Sequence, residues 1–164
     1  MSDVTVLAQQ LHDKQVVVRA RAAEQLCAQG EEAREASVDL VQACADEESV
    51  SLWAVAALEQ LGPPPVQAIP QLGPLVASSH ELVAYWAVTL LGRLESAATA
   101  AVPALVLAMA SENSPHLAVR QRAAWALGQI GDRSAPTVAA LEQAKNAADP
   151  RLARLAAQAI EQLR

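Results

Sequence analysis

Aromatic residues are scarce in this chain of 164 residues, where three Trp and one Tyr make up 2% of the sequence and Phe is absent. Apolar residues nevertheless account for 52% of it. A buried core must therefore be built from Ala, Leu, Val and Ile. Because small side chains let neighbouring helices approach closely, this composition favours helices stacked in pairs over one wide globular core.

Basic residues are missing from a long central stretch, since no Lys or Arg occurs between Arg34 and Arg93. The net charge of −6 argues against a general binder of nucleic acid or of anionic membranes, because both need a basic surface. The acidic residues of this stretch form either solvated faces and loop caps or a region that attracts a basic partner. They are Glu35, Asp39, Asp46, Glu47, Glu48, Glu59 and Glu81.

Signals for export and for membrane insertion are also lacking. The N-terminus has no basic region followed by an apolar run, so we expect no signal peptide. No uninterrupted apolar run reaches the roughly 18 residues of a membrane-spanning helix. Cys27 and Cys44 are too few for a disulfide framework. We therefore predict a cytoplasmic protein without membrane contact.

Signatures of catalysis and of metal binding are absent as well. His12, His80 and His116 occur singly, whereas a metal site needs three or four convergent ligands. No glycine-rich phosphate loop occurs, and no Ser or Cys has a paired His in a recognisable signature. We predict no metal, no cofactor and no catalytic residue; enzyme activity stays open but is the less favoured alternative.

One helical pattern organises the chain. If Val119 is position zero and each residue turns by about 100°, then Ala123, Ala124, Leu127 and Ile130 fall with it in one apolar arc about 140° wide. Gly131 follows, where a helix commonly ends in the left-handed conformation. The segment predicts an amphipathic helix.

Four further segments repeat this pattern. Their position-zero residues are Val18, Val50, Val83 and Leu152, and the steps along the five copies are 32, 33, 36 and 33 residues. Gly30 and Gly62 occupy the glycine position in two copies, and Glu95 occupies it in another. A second ladder is formed by Pro70, Pro103 and Pro136, spaced by 33 residues each. Two ladders of nearly one period indicate a structural repeat.

Each repeat has an apolar segment before the helix described above, so the unit is helix A, a loop and helix B. Proline suits the first turn of helix A, where its missing N–H has no intrahelical partner. Gly73-Pro74 should kink or break the third A helix, or indicate that it starts after Pro70. We predict one domain over residues 1–164. Its units are about 3–30, 35–62, 66–95, 99–131 and 134–164.

The B-helix segment from Val119-Arg120 to Gly131 closely resembles the motif of HEAT-like repeats, especially the short phycobilisome-lyase type. The resemblance implies an all-α fold, a right-handed α-α superhelix (solenoid) of five HEAT-like hairpins related to armadillo-type superhelices. The family pattern favours an Asp before helix B that pairs with an Arg after the valine. Only Arg19 and Arg120 occupy that Arg position, so any such ladder is incomplete.

The resemblance also implies that the B helices line a concave binding face. Positions two, six and ten point there, with position three at its edge. All four aromatic residues and two arginines fall on or beside this face. We predict a partner-binding site at Trp53, Tyr85, Trp86, Arg93, Arg122 and Trp125, because Trp, Tyr and Arg dominate binding hot spots. Trp53 and Trp86 have the alternative of stacking between neighbouring B helices.

Three functions stay open at this point. The first is a scaffold module that binds a protein or peptide, with possible self-association through the last repeat, which keeps Leu152, Leu155 and Ile160. The second is a bilin-lyase-like or other ligand-handling protein. The third, a HEAT-like enzyme acting on nucleic acid, is disfavoured by the acidic charge.

Overall fold

The computed structural model describes residues 3–110 and 115–164 and contains only helices and their connections in that part of the chain. Ser114-Pro115 predicts an N-cap and a first-turn proline for the fourth B helix, but Ser114 lies outside the described residues. The A helices are α1 (Asp3–Gln10), α3 (Ser37–Ala43), α5 (Ile69–Leu75), α7 (Val102–Met109) and α9 (Ala135–Lys145). The B helices are α2 (Val16–Gln29), α4 (Glu48–Gln60), α6 (Glu81–Arg93), α8 (Leu117–Ile130) and α10 (Pro150–Gln162). Short 3-10 helices lie at Gly30–Ala36, Val66–Ala68 and Glu95–Ala101.

The apolar arcs of the B helices form most of the core, as the periodicity predicts. Val50, Val119 and Leu152 are fully buried, and so are the Ala pairs that follow Val18 and Val119. Val18 itself is only partly buried. Burial of these arcs against neighbouring helices supplies the main stabilisation, because helices of this length are marginal alone.

The proline ladder marks the first turn of the A helices. Pro70, Pro103 and Pro136 are each the second residue of α5, α7 and α9. The expectation for Gly73-Pro74 is only partly met. The helix begins before Pro70 rather than after it, and it ends at Leu75, one residue beyond Pro74. A proline this close to the end removes few intrahelical hydrogen bonds, so α5 is short rather than broken in its middle.

The predicted glycine positions have positive φ values, a part of conformational space that residues with a side chain rarely adopt. Gly30, Gly62 and Gly131 have φ values of 57°, 70° and 75°, and Glu95 has a φ of 50°. Glu95 is exposed, and its side chain makes no hydrogen bond or ion pair with the described residues. A side chain with a Cβ is disfavoured in this conformation by about 1 kcal/mol or more. The fourth copy therefore ends its B helix with a strained residue where others have glycine.

We expect Glu95→Gly to raise the free energy of unfolding by about 1 kcal/mol, since glycine adopts this conformation without a Cβ clash. Urea unfolding followed by circular dichroism measures the change. Glu95→Ala is the matched control, because it removes the same carboxylate but keeps the Cβ. If the alanine variant gains as much stability as the glycine variant, backbone strain at this turn is not the cause.

Close contacts group the chain into two compact units, Met1–Ala68 and Ile69–Arg164, called unit 1 and unit 2 below. In unit 1, α2 packs against α4. In unit 2, α8 packs between α6 and α10. Within each unit, successive B helices therefore lie side by side, and each A helix packs against the B helix of its own hairpin.

Polar contacts join successive hairpins at the start of the B helices. Arg19 donates from Nε and Nη2 to the two carboxylate oxygens of Asp46, at 2.6 and 2.7 Å. This side-chain hydrogen bond lowers the pKa of Asp46 below its usual value. Arg120, in the equivalent position of unit 2, instead donates to the Met109 carbonyl at 3.0 Å. The Asp–Arg ladder is thus incomplete, as the sequence predicts.

In unit 2, a hydrogen bond to Asp149 joins α8 and α10, at a junction where unit 1 has the ion pair of Arg19 and Asp46. The sequence Asp149-Pro150 predicts an N-cap followed by a first-turn proline, and the Asp149 carboxylate indeed accepts a hydrogen bond from the backbone N–H of Leu152 at 2.7 Å at the start of α10. The same oxygen accepts a hydrogen bond from Gln121 Nε2 of α8 at 2.9 Å. The backbone bond, followed by the Gln121 bond, lowers the pKa of Asp149.

Candidate functional site

Five of the six predicted site residues lie on two neighbouring B helices of unit 2. Tyr85, Trp86 and Arg93 belong to α6, and Arg122 and Trp125 belong to α8. We call these five the arginine–aromatic cluster. The sixth residue, Trp53, lies on α4 in unit 1.

Arg122 is the centre of the cluster. Its guanidinium carbon lies 4.2 Å from the centroid of the Trp125 ring and 5.3 Å from that of the Tyr85 ring. Both distances are within the range of cation–π attraction. The arginine side chain is only partly buried. It therefore presents a cationic group beside two aromatic rings at the protein surface.

Thr89 fixes the orientation of Arg122. The Arg122 Nε–H donates to Thr89 Oγ1 at 2.8 Å, and the Thr89 hydroxyl donates to the carbonyl of Tyr85 at 2.8 Å. The hydroxyl is fully buried between the helices. This two-step chain of hydrogen bonds holds the guanidinium of α8 against α6.

Trp86 is the buried member of the cluster, and the partly buried Arg93 lies beside it. Trp86 is 6% exposed, its ring meets that of Tyr85 edge to face with centroids 5.7 Å apart, and the Arg93 guanidinium carbon lies 5.7 Å from its centroid. Burial lowers the pKa of Arg93, and the nearby charge of Arg122 lowers it further. Trp86 thus exposes little surface and is mainly a packing residue of the cluster.

The Trp125 ring of α8 lies against Gly92 of α6, where the lack of a side chain leaves room for it. A Cβ placed on Gly92 would meet the Trp125 ring at 2.4 Å and the Ala126 Cβ at 3.0 Å. Gly92 thus provides the space in which the indole lies. Gly128 of α8 likewise permits a close approach of the next B helix, α10, since a Cβ there would meet the Ala159 backbone at 3.0 Å.

A cleft with a volume of about 230 Å³ lies on this face of unit 2. Its lining residues come from three consecutive B helices: Tyr85 from α6, Gln121, Arg122 and Trp125 from α8, and Arg151 and Leu155 from α10. Burial lowers the pKa of Arg122; Tyr85 opposes that shift, and the positive charge of Arg151 adds to it. The cleft is therefore aromatic, apolar and positively charged.

Sequence reasoning missed Arg151 and Ala118, which also lines the cleft. Each directly precedes the position-zero residue of its helix. At about 100° per residue, that position lies near 260°, between positions two and three of the predicted binding face. The angular pattern therefore includes this position, although the predicted face was defined by positions two, three, six and ten alone.

The B helices of unit 1 expose apolar side chains in corresponding positions. Trp53 is 41% exposed, its neighbour Leu52 is 64% exposed, and Val17 of the adjacent α2 is 72% exposed. Their exposure makes these positions candidates for an apolar contact site, because contiguous exposed apolar patches commonly mark interaction sites. Of the three residues that suggested self-association, Leu152 and Ile160 are buried within the chain, and Leu155 is partly exposed.

Neither a metal centre nor a membrane segment is found in the region of the chain that the structure describes. No group of three or more His, Cys, Asp or Glu residues there is arranged to hold a metal ion. The described helices are all too short or too polar to cross a bilayer. His12, one of the single histidines, instead contacts Asp39 at 2.7 Å on the surface of unit 1.

Comparison with known proteins gives one sequence match and several structural ones. A family model described as HEAT repeats matches residues 69–161, which is more than half of the chain. No curated protein sequence matches the chain. The sequence family is thus identified by the segment that contains α5 to α10, including the arginine–aromatic cluster.

Crystal structures of two engineered proteins resemble the whole chain. The first is 23% identical to this chain, and its match covers 99% of this chain and 80% of the engineered protein. The second is 20% identical, with coverages of 99% and 81%, and the TM-score is 0.64 for both. Human deoxyhypusine hydroxylase in complex with glycerol is 19% identical over 98% of this chain and 73% of its own, with a TM-score of 0.54. At these identities the likeness concerns the fold alone, and the predicted class, an α-α superhelix of helical hairpins, is confirmed.

Proposed function

This chain belongs to the HEAT repeat family, and we propose that it is a cytoplasmic interaction module. The fold of this family is often used for protein binding. The module binds a protein or peptide partner on the face formed by its B helices. The observation that carries this proposal is the cleft of unit 2, where Arg122 lies beside the rings of Tyr85 and Trp125. These residue types dominate the energetics of protein interfaces.

Rigidity of the cleft supports the proposal. Arg122 is held by Thr89, and Trp125 is held above Gly92. Side chains that are already ordered lose less conformational entropy on binding, so more of their contact energy appears as affinity. The exposed Leu52 and Trp53 on α4 give unit 1 an apolar contact surface of its own.

The test is comparative capture of partners from the source cells. Tagged wild-type protein and the Arg122→Gln variant are used as baits, and the captured proteins are identified by mass spectrometry. Arg122→Gln removes the positive charge while its amide still reaches toward Thr89. We expect a partner of the wild-type bait to be depleted about tenfold or more with the variant, because charged groups at hot spots commonly contribute 2 kcal/mol or more.

Arg133→Gln is the control, since it removes the same charge from an exposed turn outside the cleft. Each partner is then produced in pure form, and its dissociation constant is measured by calorimetry. If all partners bind both variants as tightly as the wild type, this face is not the binding site. Titration with a tetrapyrrole, read by its absorbance, tests the ligand-handling alternative separately.

A further inference from the structure

The cleft of unit 2 lacks a negative charge to match its positive ones. Arg122 and Arg151 both line it, and no Asp or Glu is among the described residues that do so. Gln121, the other polar side chain that α8 contributes, donates a hydrogen bond to Asp149 at the start of α10. The group that would complement this surface electrostatically is therefore an anion.

Arg122 has the geometry to bind a carboxylate. Its Nε–H is occupied by Thr89. Among the described residues its Nη1 and Nη2 atoms have no hydrogen-bond acceptor. A guanidinium with one edge fixed still offers two parallel N–H groups at its end, which match the two oxygens of a carboxylate. The hydrogen bond that occupies Nε thus orients the atoms that remain available.

Electrostatics within the cleft favour the same ligand. Burial and the positive charge of Arg151 both act against the charged form of Arg122, although Tyr85 opposes them. An anion between the two arginines would offset both effects, since an opposite charge nearby stabilises a partly desolvated cation. Binding would thereby relieve a repulsion that is already present in the folded protein.

The distribution of charge along the chain is compatible with an acidic ligand at this place. Residues 69–164 carry eight Lys and Arg against seven Asp and Glu, whereas residues 1–68 carry four against eleven. The acidic excess of the whole chain therefore belongs to the sequence of unit 1. Unit 2 by itself does not repel an anion.

We propose that this cleft binds the carboxylate of an Asp or Glu side chain in a segment of the partner protein. The carboxylate contacts Arg122 and Arg151, and an apolar side chain next to it in the segment packs on Trp125 and Leu155. This inference rests on the proposed function, because it names the partner chemistry that the same face recognises.

The experiment uses a phage-displayed library of random dodecapeptides selected on the full-length protein. The displayed peptides have no free C-terminus, so the library offers side-chain carboxylates only. We expect the selected peptides to share one Asp or Glu next to an apolar residue. Each is then synthesised with an amidated C-terminus, together with its Glu→Gln or Asp→Asn version, and binding is measured by fluorescence anisotropy.

We expect the loss of the acid to weaken binding about tenfold or more, as the loss of a charge-assisted hydrogen bond does. Arg122→Gln should weaken the binding of the acidic peptide by a similar factor and leave the binding of the amide version nearly unchanged. That coupling assigns the acid to Arg122. Arg151→Gln should have a smaller effect of the same sign, and Arg133→Gln should have none.

Failure of the inference and failure of the proposed function give different results. One result would be that the peptides bind the wild type tightly and bind Arg122→Leu more weakly, while the acid-to-amide change in the peptide has no effect on the affinity. In that case the face binds proteins without recognising a carboxylate. If an amidated peptide fails to bind while the same peptide synthesised with a free C-terminal carboxylate binds, the cleft recognises a chain end instead of a side chain. If binding is indifferent to every cleft substitution, the proposed function itself is wrong for this face. Circular dichroism of each variant verifies that it is folded.

Discussion

Trp86→Ala is expected to lower the free energy of unfolding by about 3–5 kcal/mol, as truncation of a buried aromatic residue commonly does. The Trp86 ring is almost fully removed from solvent and contacts Tyr85 and the Arg93 guanidinium. Removing the indole leaves empty space at a position that is almost closed to solvent. Denaturant unfolding of the purified variant, followed by circular dichroism, measures the loss.

Trp53→Ala is the matched control for this prediction. It makes the same change at the same position of another copy, but two fifths of that residue is already exposed. We expect about half the loss or less, because less apolar surface returns to water. Equal losses for the two variants would place Trp53 among the packing residues and remove it from the predicted binding face.

Gly92→Ala is the second substitution with a large expected effect, and its direction is opposite to helix propensity. Alanine is favoured over glycine inside an isolated helix by about 1 kcal/mol. Here the new Cβ would lie 2.4 Å from the rigid Trp125 ring. Relieving that overlap requires α6 and α8 to separate or the indole to leave its place. We expect a net loss of about 1–3 kcal/mol, typical of overpacking.

A double-mutant cycle with Trp125→Ala tests the cause. Without the indole, the added methyl group has room, and only the contact to Ala126 at 3.0 Å stays tight. Gly92→Ala should then cost about 1–2 kcal/mol less than in the wild type, which is the size of coupling expected for residues in contact. An additive cycle would mean that the glycine is required for another reason. Tryptophan fluorescence of the single variant reports whether the ring has moved.

Most of the hairpin pattern could be predicted from the sequence because it follows from two local rules. An apolar arc repeated at helical spacing predicts which side of each B helix is buried, and the structure buries Val50, Val119 and Leu152. A proline in the first helical turn predicts where the A helices begin. Even the unusual conformation of Glu95 follows from its alignment with Gly131 and the other terminal glycines.

The candidate site could be predicted only incompletely, because its geometry depends on contacts between hairpins. The sequence places Arg122 and Trp125 on one face of a helix, which is a local property. It does not reveal that Thr89 orients Arg122, or that Gly92 makes space for Trp125, since both partners are 33 residues away. For the same reason the sequence did not separate the buried Trp86 from the exposed Trp53.

The angle of Arg151 and Ala118 on their helices follows from the pattern, but their part in a cleft between helices does not. Arg151 is the second residue of α10, close to the cap at Asp149, and resembles an ordinary first-turn residue. Its role in the cleft depends on how closely α10 approaches α8. That approach is set by Gly128 against Ala159, a contact between residues with almost no side chain.

The two units join their consecutive hairpins by different physical means. In unit 1 the junction includes the paired charges of Arg19 and Asp46, whereas in unit 2 an indole fills the space over Gly92. Dissolved ions screen the attraction between charges but do not change the fit of a ring into a notch. Added salt therefore acts on the first junction only through its ion pair, whose side chains are 18% exposed and so are weakly screened, and it leaves the fit of the indole at the second junction unchanged.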